Sequence, residues 1–359
     1  MTSPMMWLPV VIILGLATLG AWTDPTALAH SWLAVTLTWG LLPLGALAWL
    51  MIHGLTGGRW GDDSRWIWRA LASTLPLFVV SLLPLLFALE SLFSWVAPAE
   101  TLPEVVRRKL LYLNEPFFVV RALAFALLWL GLAWLQGVWG SADSARAGEK
   151  GCALGLILWL LVLSFFGFDW FMALEPQFYS DVFGLMLATN ALGAAMAAGL
   201  LLGAKGSAVS VRRDLSGLWV SALLGWVFLV FSQYIIIWSG NMPNEIGWYL
   251  HRSAGLWRPV SVLSFALFAV VPFCLLLSPR VRQSQAALRF TAGVCLAGHV
   301  LRLAWLVLPA FTLRDTTLWL TPLLLLAVGL AYWGWLRQWL RRNQAGPARV
   351  SGEVDNARP

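Results

Sequence analysis

Long apolar runs, separated by short polar stretches, repeat along almost the whole chain. A run of about 20 mostly apolar residues is long enough to cross a bilayer as a single helix. The pattern therefore predicts an all-α, polytopic integral membrane protein with about ten transmembrane helices. The predicted helices cover residues 6–22, 28–53, 69–96, 116–138, 151–173, 180–204, 216–238, 259–278, 288–308 and 317–338.

The two ends of the chain differ from this pattern in opposite ways. The first apolar run has no basic segment before it, so we expect a retained membrane helix and not a cleaved signal peptide. The last run is followed by a polar stretch that contains Gly, Pro and charged residues. We therefore expect one transmembrane domain over residues 1–342 and a disordered cytoplasmic tail over residues 343–359.

Basic residues between the runs indicate how the helices are oriented. With the N-terminus inside, sixteen Lys and Arg residues fall in the inner loops and the tail, against six in the outer loops. Cytoplasmic loops carry the excess of basic residues, so both termini are predicted to lie in the cytoplasm. This orientation places two long connections, residues 97–115 and 239–258, and a compact turn at 174–179 on the outer side.

The composition supports a membrane location and argues against a nucleic-acid partner. The chain is 60% hydrophobic and only 11% charged, whereas a typical soluble domain is about 25% charged. Its 24 Trp residues suit the boundary between lipid and water. The net charge of +7 comes from basic residues scattered singly between apolar runs, so we expect contact with membrane lipid and no binding of nucleic acid.

The cysteines and histidines give no sign of a bound metal or cofactor. The three cysteines lie in apolar runs without a CxxC pattern, so we expect no disulfide framework, zinc site or covalent haem. Four histidines, two of them at opposite ends of one predicted helix, cannot provide the four axial ligands that two b-type haems need. We therefore expect any electron carriers to belong to partner subunits.

The strongest candidates for chemistry are ionisable residues within apolar runs, most of them toward the outer side. Asp169 lies among aromatic residues (165–171), where a buried carboxyl group is a candidate proton acceptor. The alternative is an ion pair with Arg121 or Arg302 that holds two helices together. His299 and Arg302, three residues apart, share one helix face and suit a quinone head group; the alternative is a contact between helices.

Four further ionisable residues near the outer ends of helices are weaker candidates for a chemical role. Glu90 is a candidate proton acceptor, or it extends to the headgroup region. Glu115 and Arg121 flank the start of one helix, where an acid followed by Pro also fits a simple helix beginning. Asp181 lies at the start of the helix predicted at 180–204, where an acid also fits a simple helix beginning. Together these residues predict a polar site in the outer half of the bundle.

Two stretches resemble a known family. They are FFGFDWFMALEPQFYSDVFG (165–184) and FSQYIIIWSGNMPNEIGWYLHRSAGLW (231–257), and KLLYLNEPFFVVRA (109–122) adds to them. The resemblance spans roughly residues 85 to 310. The chain resembles the quinone-binding membrane subunit 2 of alternative complex III, the bacterial quinol:cytochrome c oxidoreductase. That family belongs with the NrfD and polysulfide-reductase-type membrane subunits.

The resemblance implies ten helices arranged largely as two four-helix bundles with peripheral helices. It also implies quinol as the substrate, and partner subunits with c-type haems and iron–sulfur clusters beside a related membrane subunit. If the chain has this function, we expect Asp169, His299 and Glu90 to be the catalytic proton acceptors. Quinol binding or proton transfer would involve Arg302, Arg121, Glu115, Asp181 and Trp170, and the partner-docking loops would contribute Glu175, Tyr179, Asn241, Pro243 and Glu245.

The chain departs from the family pattern at three places. After the proline of the outer loop it has Asn244 and then Glu245, where two consecutive acids are expected. In the ninth helix it has His299 and Arg302, where an Arg followed by an Asp is expected. Asp181 stands where a small hydroxyl residue usually follows Tyr-Ser. The second departure removes an acid from the membrane interior, so two other functions stay open: a non-catalytic scaffold of the same complex and a stand-alone transporter.

Overall fold

The regular secondary structure of the protein is helical throughout the described ranges. The computed structural model describes residues 8–140, 147–203 and 208–344, so the predicted tail lies outside the described residues from position 345 onward. The helices are α1 (Leu8–Thr23), α2 (Pro25–Thr56), α3 (Arg59–Ala72), α4 (Leu75–Leu86), α5 (Leu89–Leu92), α6 (Glu104–Arg107), α7 (Glu115–Leu135), α8 (Glu149–Trp170), α9 (Phe183–Gly203), α10 (Val209–Ser239), α11 (Pro243–His251), α12 (Trp257–Phe265), α13 (Val271–Leu277), α14 (Pro279–Gln283), α15 (Gln285–Val307) and α16 (Asp315–Gln344).

Nine stretches of the described chain are long and apolar enough to cross a membrane. The first predicted crossing corresponds to α1, which has 16 residues and is therefore about 24 Å long, short of the hydrocarbon thickness of about 30 Å. It packs along α16 and α2. The prediction of an all-α, multi-pass membrane protein is confirmed.

The largest shift from the predicted boundaries concerns the crossing predicted at 69–96. In the structure this crossing runs over Arg59–Leu86 and consists of α3 and α4. Its first half is amphipathic: Asp62 and Asp63 are exposed, whereas Ile67 and Trp68 are buried. The charged face of α3 shortens the apolar run, and a search for apolar length therefore begins the helix about ten residues too late.

The centre of the molecule is formed by α2 and α9. The apolar part of α2 is 89% buried, and a Cβ at Gly45 of α2 would lie 2.0 Å from the carbonyl oxygen of Ala191 in α9. Only glycine permits this close approach. One group of helices is formed by α2, α3–α4, α7 and α8, and a second by α9, α10, α12–α13 and α15; α1 and α16 lie outside them against α2.

Hydrogen bonds near the ends of the helices define two opposite ends of the bundle. At the end that we call the loop-rich face, Lys109 Nζ donates to the carbonyl oxygen of Pro176 at 2.6 Å, and Arg252 donates to the carbonyl oxygen of Leu306 at 2.9 Å. At the opposite end, which we call the basic face, Arg289 donates to the carbonyl oxygen of Leu201 at 3.0 Å. The helices thus alternate in direction, as the predicted topology requires.

Candidate functional site

Asp169 and Arg121 form a buried ion pair between α8 and α7. Arg121 Nε and Nη2 each donate to one carboxylate oxygen at 2.9 Å. The side chain of Asp169 is 1% exposed and that of Arg121 is 8% exposed. Of the two arginines that the sequence offered as partners, Arg121 is the one that Asp169 pairs with. Two parallel hydrogen bonds fix both side chains and join the two helices at the loop-rich face.

Tyr112 covers this ion pair from the 97–115 connection. The guanidinium carbon of Arg121 lies 3.8 Å from the centre of the Tyr112 ring and 4.3 Å from that of Phe117, and Arg121 Nη1 donates to the Tyr112 carbonyl oxygen at 2.9 Å. The Tyr112 hydroxyl is buried and has no hydrogen-bond partner. Burial, and next the negative charge of Asp169, raise the pKa of Tyr112. The hydroxyl therefore keeps its proton, and the acceptor nearest to hand is the Asp169 carboxylate.

A cavity of about 410 Å³ has Tyr112 in its wall. Exposed apolar side chains follow one face of α8, from Leu154 to Phe165, and Phe165 also forms part of the cavity wall. An apolar ligand can therefore reach the cavity from the lipid. The other apolar members of the wall include Leu113, Phe168, Met172 and Phe178, and its polar members are Arg108, Lys109, Tyr112 and Tyr179.

Trp170, next in sequence to Asp169, lies away from the cavity wall. Its ring is fully buried and packs against Phe118 at 5.0 Å and Phe166 at 5.9 Å between ring centres. Trp170 therefore supports the ion pair from behind, as part of the packing between α7 and α8. A ligand in the cavity would not touch it.

His299 lies deeper, where α15 meets α2 and α9. Its Nδ1 is 3.0 Å from Oδ1 of Asn190, and its Nε2 is 3.0 Å from the carbonyl oxygen of Thr38. A carbonyl oxygen only accepts, so Nε2 carries the proton and a neutral ring needs a donor at Nδ1. The amide nitrogen of Asn190, which has no other partner, supplies that donor once the amide is turned. Both ring nitrogens are then satisfied by the protein.

Arg302, one turn along α15 from His299, has no such partners. Its side chain is buried, and its Nε has no hydrogen-bond acceptor. The guanidinium carbon lies 4.4 Å from the ring centre of Trp305 and 5.2 Å from that of Trp226. The predicted pairing of His299 and Arg302 on one helix face is present, yet only Arg302 has donors to spare.

A π turn, Ala266–Val270, lies beside these two residues and joins α12 to α13. A Cβ at Gly298 would lie 2.2 Å from the backbone nitrogen of Phe268, and the Cys295 thiol donates to the carbonyl oxygen of Phe268 at 3.3 Å. The ring of Phe268 thereby fills the space between His299 and Trp226. Single π turns within helices often mark functional positions.

The other predicted site residues lie at the surface. Glu90 and Glu115 are exposed. Asn114 caps α7, because its side chain accepts from the Phe117 amide at 3.0 Å, and Glu115 thus fits the beginning of a helix. Asp181 accepts a hydrogen bond from the Tyr179 hydroxyl. Among the described residues no hydrogen bond or ion pair joins these three acids to Asp169 or His299.

The predicted docking loops divide into exposed and buried residues. Tyr179, Asn241 and Pro243 are exposed on the loop-rich face. Glu175 points inward instead and accepts from the fully buried Arg252 and from the exposed His251. Glu245 is also buried.

Sequence reasoning did not single out the polar chain that connects three elements of the loop-rich half. Ser180 Oγ donates to Gln233 Oε1 at 2.6 Å, and Gln233 Nε2 donates to the Tyr249 hydroxyl at 2.9 Å. A signal was present, because Gln233 is a lone amide in an otherwise apolar and aromatic run. Asn190 is likewise a lone amide in the apolar run of α9, whereas nothing nearby in sequence identifies Tyr112.

No group of three or more His, Cys, Asp or Glu side chains within the described ranges could hold a metal ion. No family model and no curated protein sequence matches the chain. The interpretation of its function therefore rests on the residues and their geometry.

Proposed function

We propose that this protein is a membrane subunit of a quinol:cytochrome c oxidoreductase of the alternative complex III type. In this role it binds quinol and accepts quinol protons near the outer face, while partner subunits carry the electrons. The observation that carries the proposal is an apolar cavity that has Tyr112 in its wall, with the ion pair of Arg121 and Asp169 directly behind the Tyr112 ring.

The cavity suits a quinol head group in size and in lining. Ligand pockets are mostly apolar with a few placed polar groups, and about 410 Å³ is within their usual range. The aromatic and aliphatic wall accommodates the ring, and the isoprenoid tail extends along the exposed apolar face of α8. A quinol oxygen that reaches Tyr112 forms a hydrogen bond with its hydroxyl, which otherwise interacts with Asp169.

Oxidation of a quinol releases two protons and two electrons, and the site offers a route for a proton. The quinol hydroxyl passes its proton to the oxygen of Tyr112 as Tyr112 passes its own proton to Asp169. Arg121 holds the carboxylate in position until then. The electrons leave through c-type haems and iron–sulfur clusters in partner subunits.

The loop-rich face is the docking surface for those partners in this proposal. Tyr179, Asn241 and Pro243 are exposed there, and a cavity of about 550 Å³ opens nearby, with Glu175 and His251 in its wall. The distribution of basic residues supports the same arrangement, in which the basic face and both termini lie on the cytoplasmic side of a bacterial inner membrane. A related membrane subunit would pack laterally against the lipid-facing helices.

A non-catalytic scaffold is the second candidate, and one observation favours it. Both oxygens of Asp169 are occupied by Arg121, and both ring nitrogens of His299 have protein partners. Joining helices is a sufficient role for a buried group whose hydrogen-bonding atoms are all paired. In this case the cavity beside Tyr112 would hold a lipid chain and the complex would oxidise quinol elsewhere.

A stand-alone transporter has less support from the helices themselves. Transporters often use broken helices whose free carbonyl oxygens bind ions, and the crossing of α3 and α4 is interrupted at Ser73 and Thr74. The hydroxyls of these residues donate to the carbonyl oxygens of Ala70 and Leu71 at 2.6 and 2.7 Å. The break is therefore satisfied internally and offers no open ion site.

The double variant Arg121→Gln with Asp169→Asn separates the first two candidates. It removes both charges together, so no uncompensated charge is left in the membrane and the complex should still assemble. If Asp169 accepts a quinol proton, quinol:cytochrome c turnover of the assembled complex should fall about 10²–10⁴-fold. Normal turnover in an assembled complex would reject the proton-accepting role and favour the scaffold.

A further inference from the structure

Arg302 is a buried cation without a counter-charge. It is 5% exposed, lies in the membrane-crossing part of α15, and has no ion pair or hydrogen bond within the part of the chain that the structure describes. Trp305 and Trp226 lie against the guanidinium and attract its charge. The faces of these rings leave the N–H donors at the edge of the guanidinium unused, and a charge within a membrane normally finds a partner or lines a cavity.

The neighbouring charges do not neutralise Arg302. Arg252 is the other cation that acts on it, and Arg252 is already paired with Glu175. These two residues together carry no net charge. The environment of Arg302 is therefore left with a single positive charge, and one monovalent anion would neutralise it.

Tyr249 provides a second donor in the same aromatic cluster, because its ring packs against Trp248 at 5.0 Å and Trp248 packs at 5.4 Å against Trp305, the ring beside Arg302. Ser180 Oγ donates to Gln233 Oε1 and Gln233 Nε2 donates to the Tyr249 oxygen, and in this arrangement the Tyr249 proton points elsewhere. Burial raises the pKa of Tyr249, while the nearby charge of Arg302 acts in the opposite direction. The hydroxyl keeps its proton and, like Arg302, needs an acceptor.

We propose that Arg302 and the Tyr249 hydroxyl bind one small monovalent anion, such as chloride, in the loop-rich half of the membrane domain. An anion satisfies both donors and neutralises the single positive charge, whereas a water molecule satisfies donors but leaves the charge. The indole rings of Trp226 and Trp305 form the walls of the site. This inference does not depend on quinol oxidation.

The test compares chloride and gluconate at constant ionic strength on the full chain purified in mild detergent. Chloride should raise the melting temperature by about 2 °C or more, with saturation, because it binds only the folded protein. Bromide should quench tryptophan fluorescence in a saturable way, since it lies against Trp226 and Trp305. The variant Arg302→Gln should lose both responses.

Two further variants keep the test decisive. Tyr249→Phe retains the charge and should raise the half-saturating chloride concentration at least about threefold; it carries the test if Arg302→Gln does not fold. Arg314→Gln, an exposed arginine paired with Asp24, should respond like the wild type. Equal melting temperatures of the wild type in the two salts would overturn the proposal. A response that needs Arg302 but is elicited by a short-chain quinone and not by chloride would also overturn it.

Discussion

Two polar clusters lie in the membrane domain, and they differ in how completely the protein satisfies them. Around His299, the protein supplies a partner for each ring nitrogen from α9 and α2. Around Asp169, the carboxylate is equally well paired with Arg121, and Tyr112, whose hydroxyl is buried beside it, forms part of the wall of an apolar cavity. Both clusters are visible in the sequence as an ionisable residue within an apolar run.

Burial of an ionisable group therefore does not by itself mark a ligand site. A group whose donors and acceptors are all used within the protein stabilises the packing of helices. A group with a spare donor next to accessible space can bind something. By this criterion we propose Tyr112 and Arg302 as ligand-binding residues, with Asp169 behind Tyr112, whereas both ring nitrogens of His299 already have protein partners.

The largest expected effect on stability is that of Arg121→Gln alone. This change leaves Asp169 buried without its counter-charge, which typically costs about 3–5 kcal/mol. The melting temperature of the purified chain should fall sharply, and addition of Asp169→Asn should restore most of it. Arg107→Gln, which affects an exposed pair with Glu104, is the matched control and should have little effect. Additive losses in the double variant would contradict the ion-pair account.

A smaller effect is expected at the other cluster. Asn190→Leu keeps the volume but leaves Nδ1 of His299 without a partner, a loss of about 1–3 kcal/mol in the free energy of unfolding. Because His299 does not face the cavity beside Tyr112, the affinity for a quinone analogue should stay at the wild-type value. Thermal melting and a quinone titration on the same preparation check both parts. A large loss of quinone affinity would reverse the assignment of the two clusters.

The smallest effect is expected at Asp24, which caps α2 outside both clusters. The Ala27 amide, and with it Arg314, holds the pKa of Asp24 below its ordinary value of 3.8. A lowered pKa stabilises the folded state above that value, and the contribution disappears as the pH falls through it. Asp24→Asn keeps the cap, so its cost at pH 7 should be about 0.2–1 kcal/mol and should vanish in acid. A difference that persists at low pH would mean that the charge is not involved.

The fold could be predicted from apolar length and basic residues, because the bilayer demands both. Nine of the expected crossings are present, and the connections meet at two ends as the alternating topology requires. The predicted start of the crossing at 69–96 was wrong, because this crossing begins with the amphipathic helix α3, whose exposed face carries Asp62 and Asp63.

The site could be predicted only in part. Sequence position identified Asp169, Arg121, His299 and Arg302, because a charge in an apolar run is visible without any structure. The partners were not visible: Asn190 lies 109 residues from His299, and nothing local indicates that Tyr112 covers Arg121. Which buried group keeps a spare donor depends on the packing of distant helices, and a single sequence does not contain that information in readable form.

The binding of a short-chain quinone to the purified chain tests the central claim most directly. The affinity, measured by quenching of tryptophan fluorescence, should fall about tenfold in Tyr112→Phe, because the variant lacks only the hydroxyl that would donate to the quinone oxygen. Tyr332→Phe removes another buried hydroxyl without a partner and should bind like the wild type. Equal affinities for the wild type and Tyr112→Phe, or no saturable binding in either, would contradict a quinol site at this cavity.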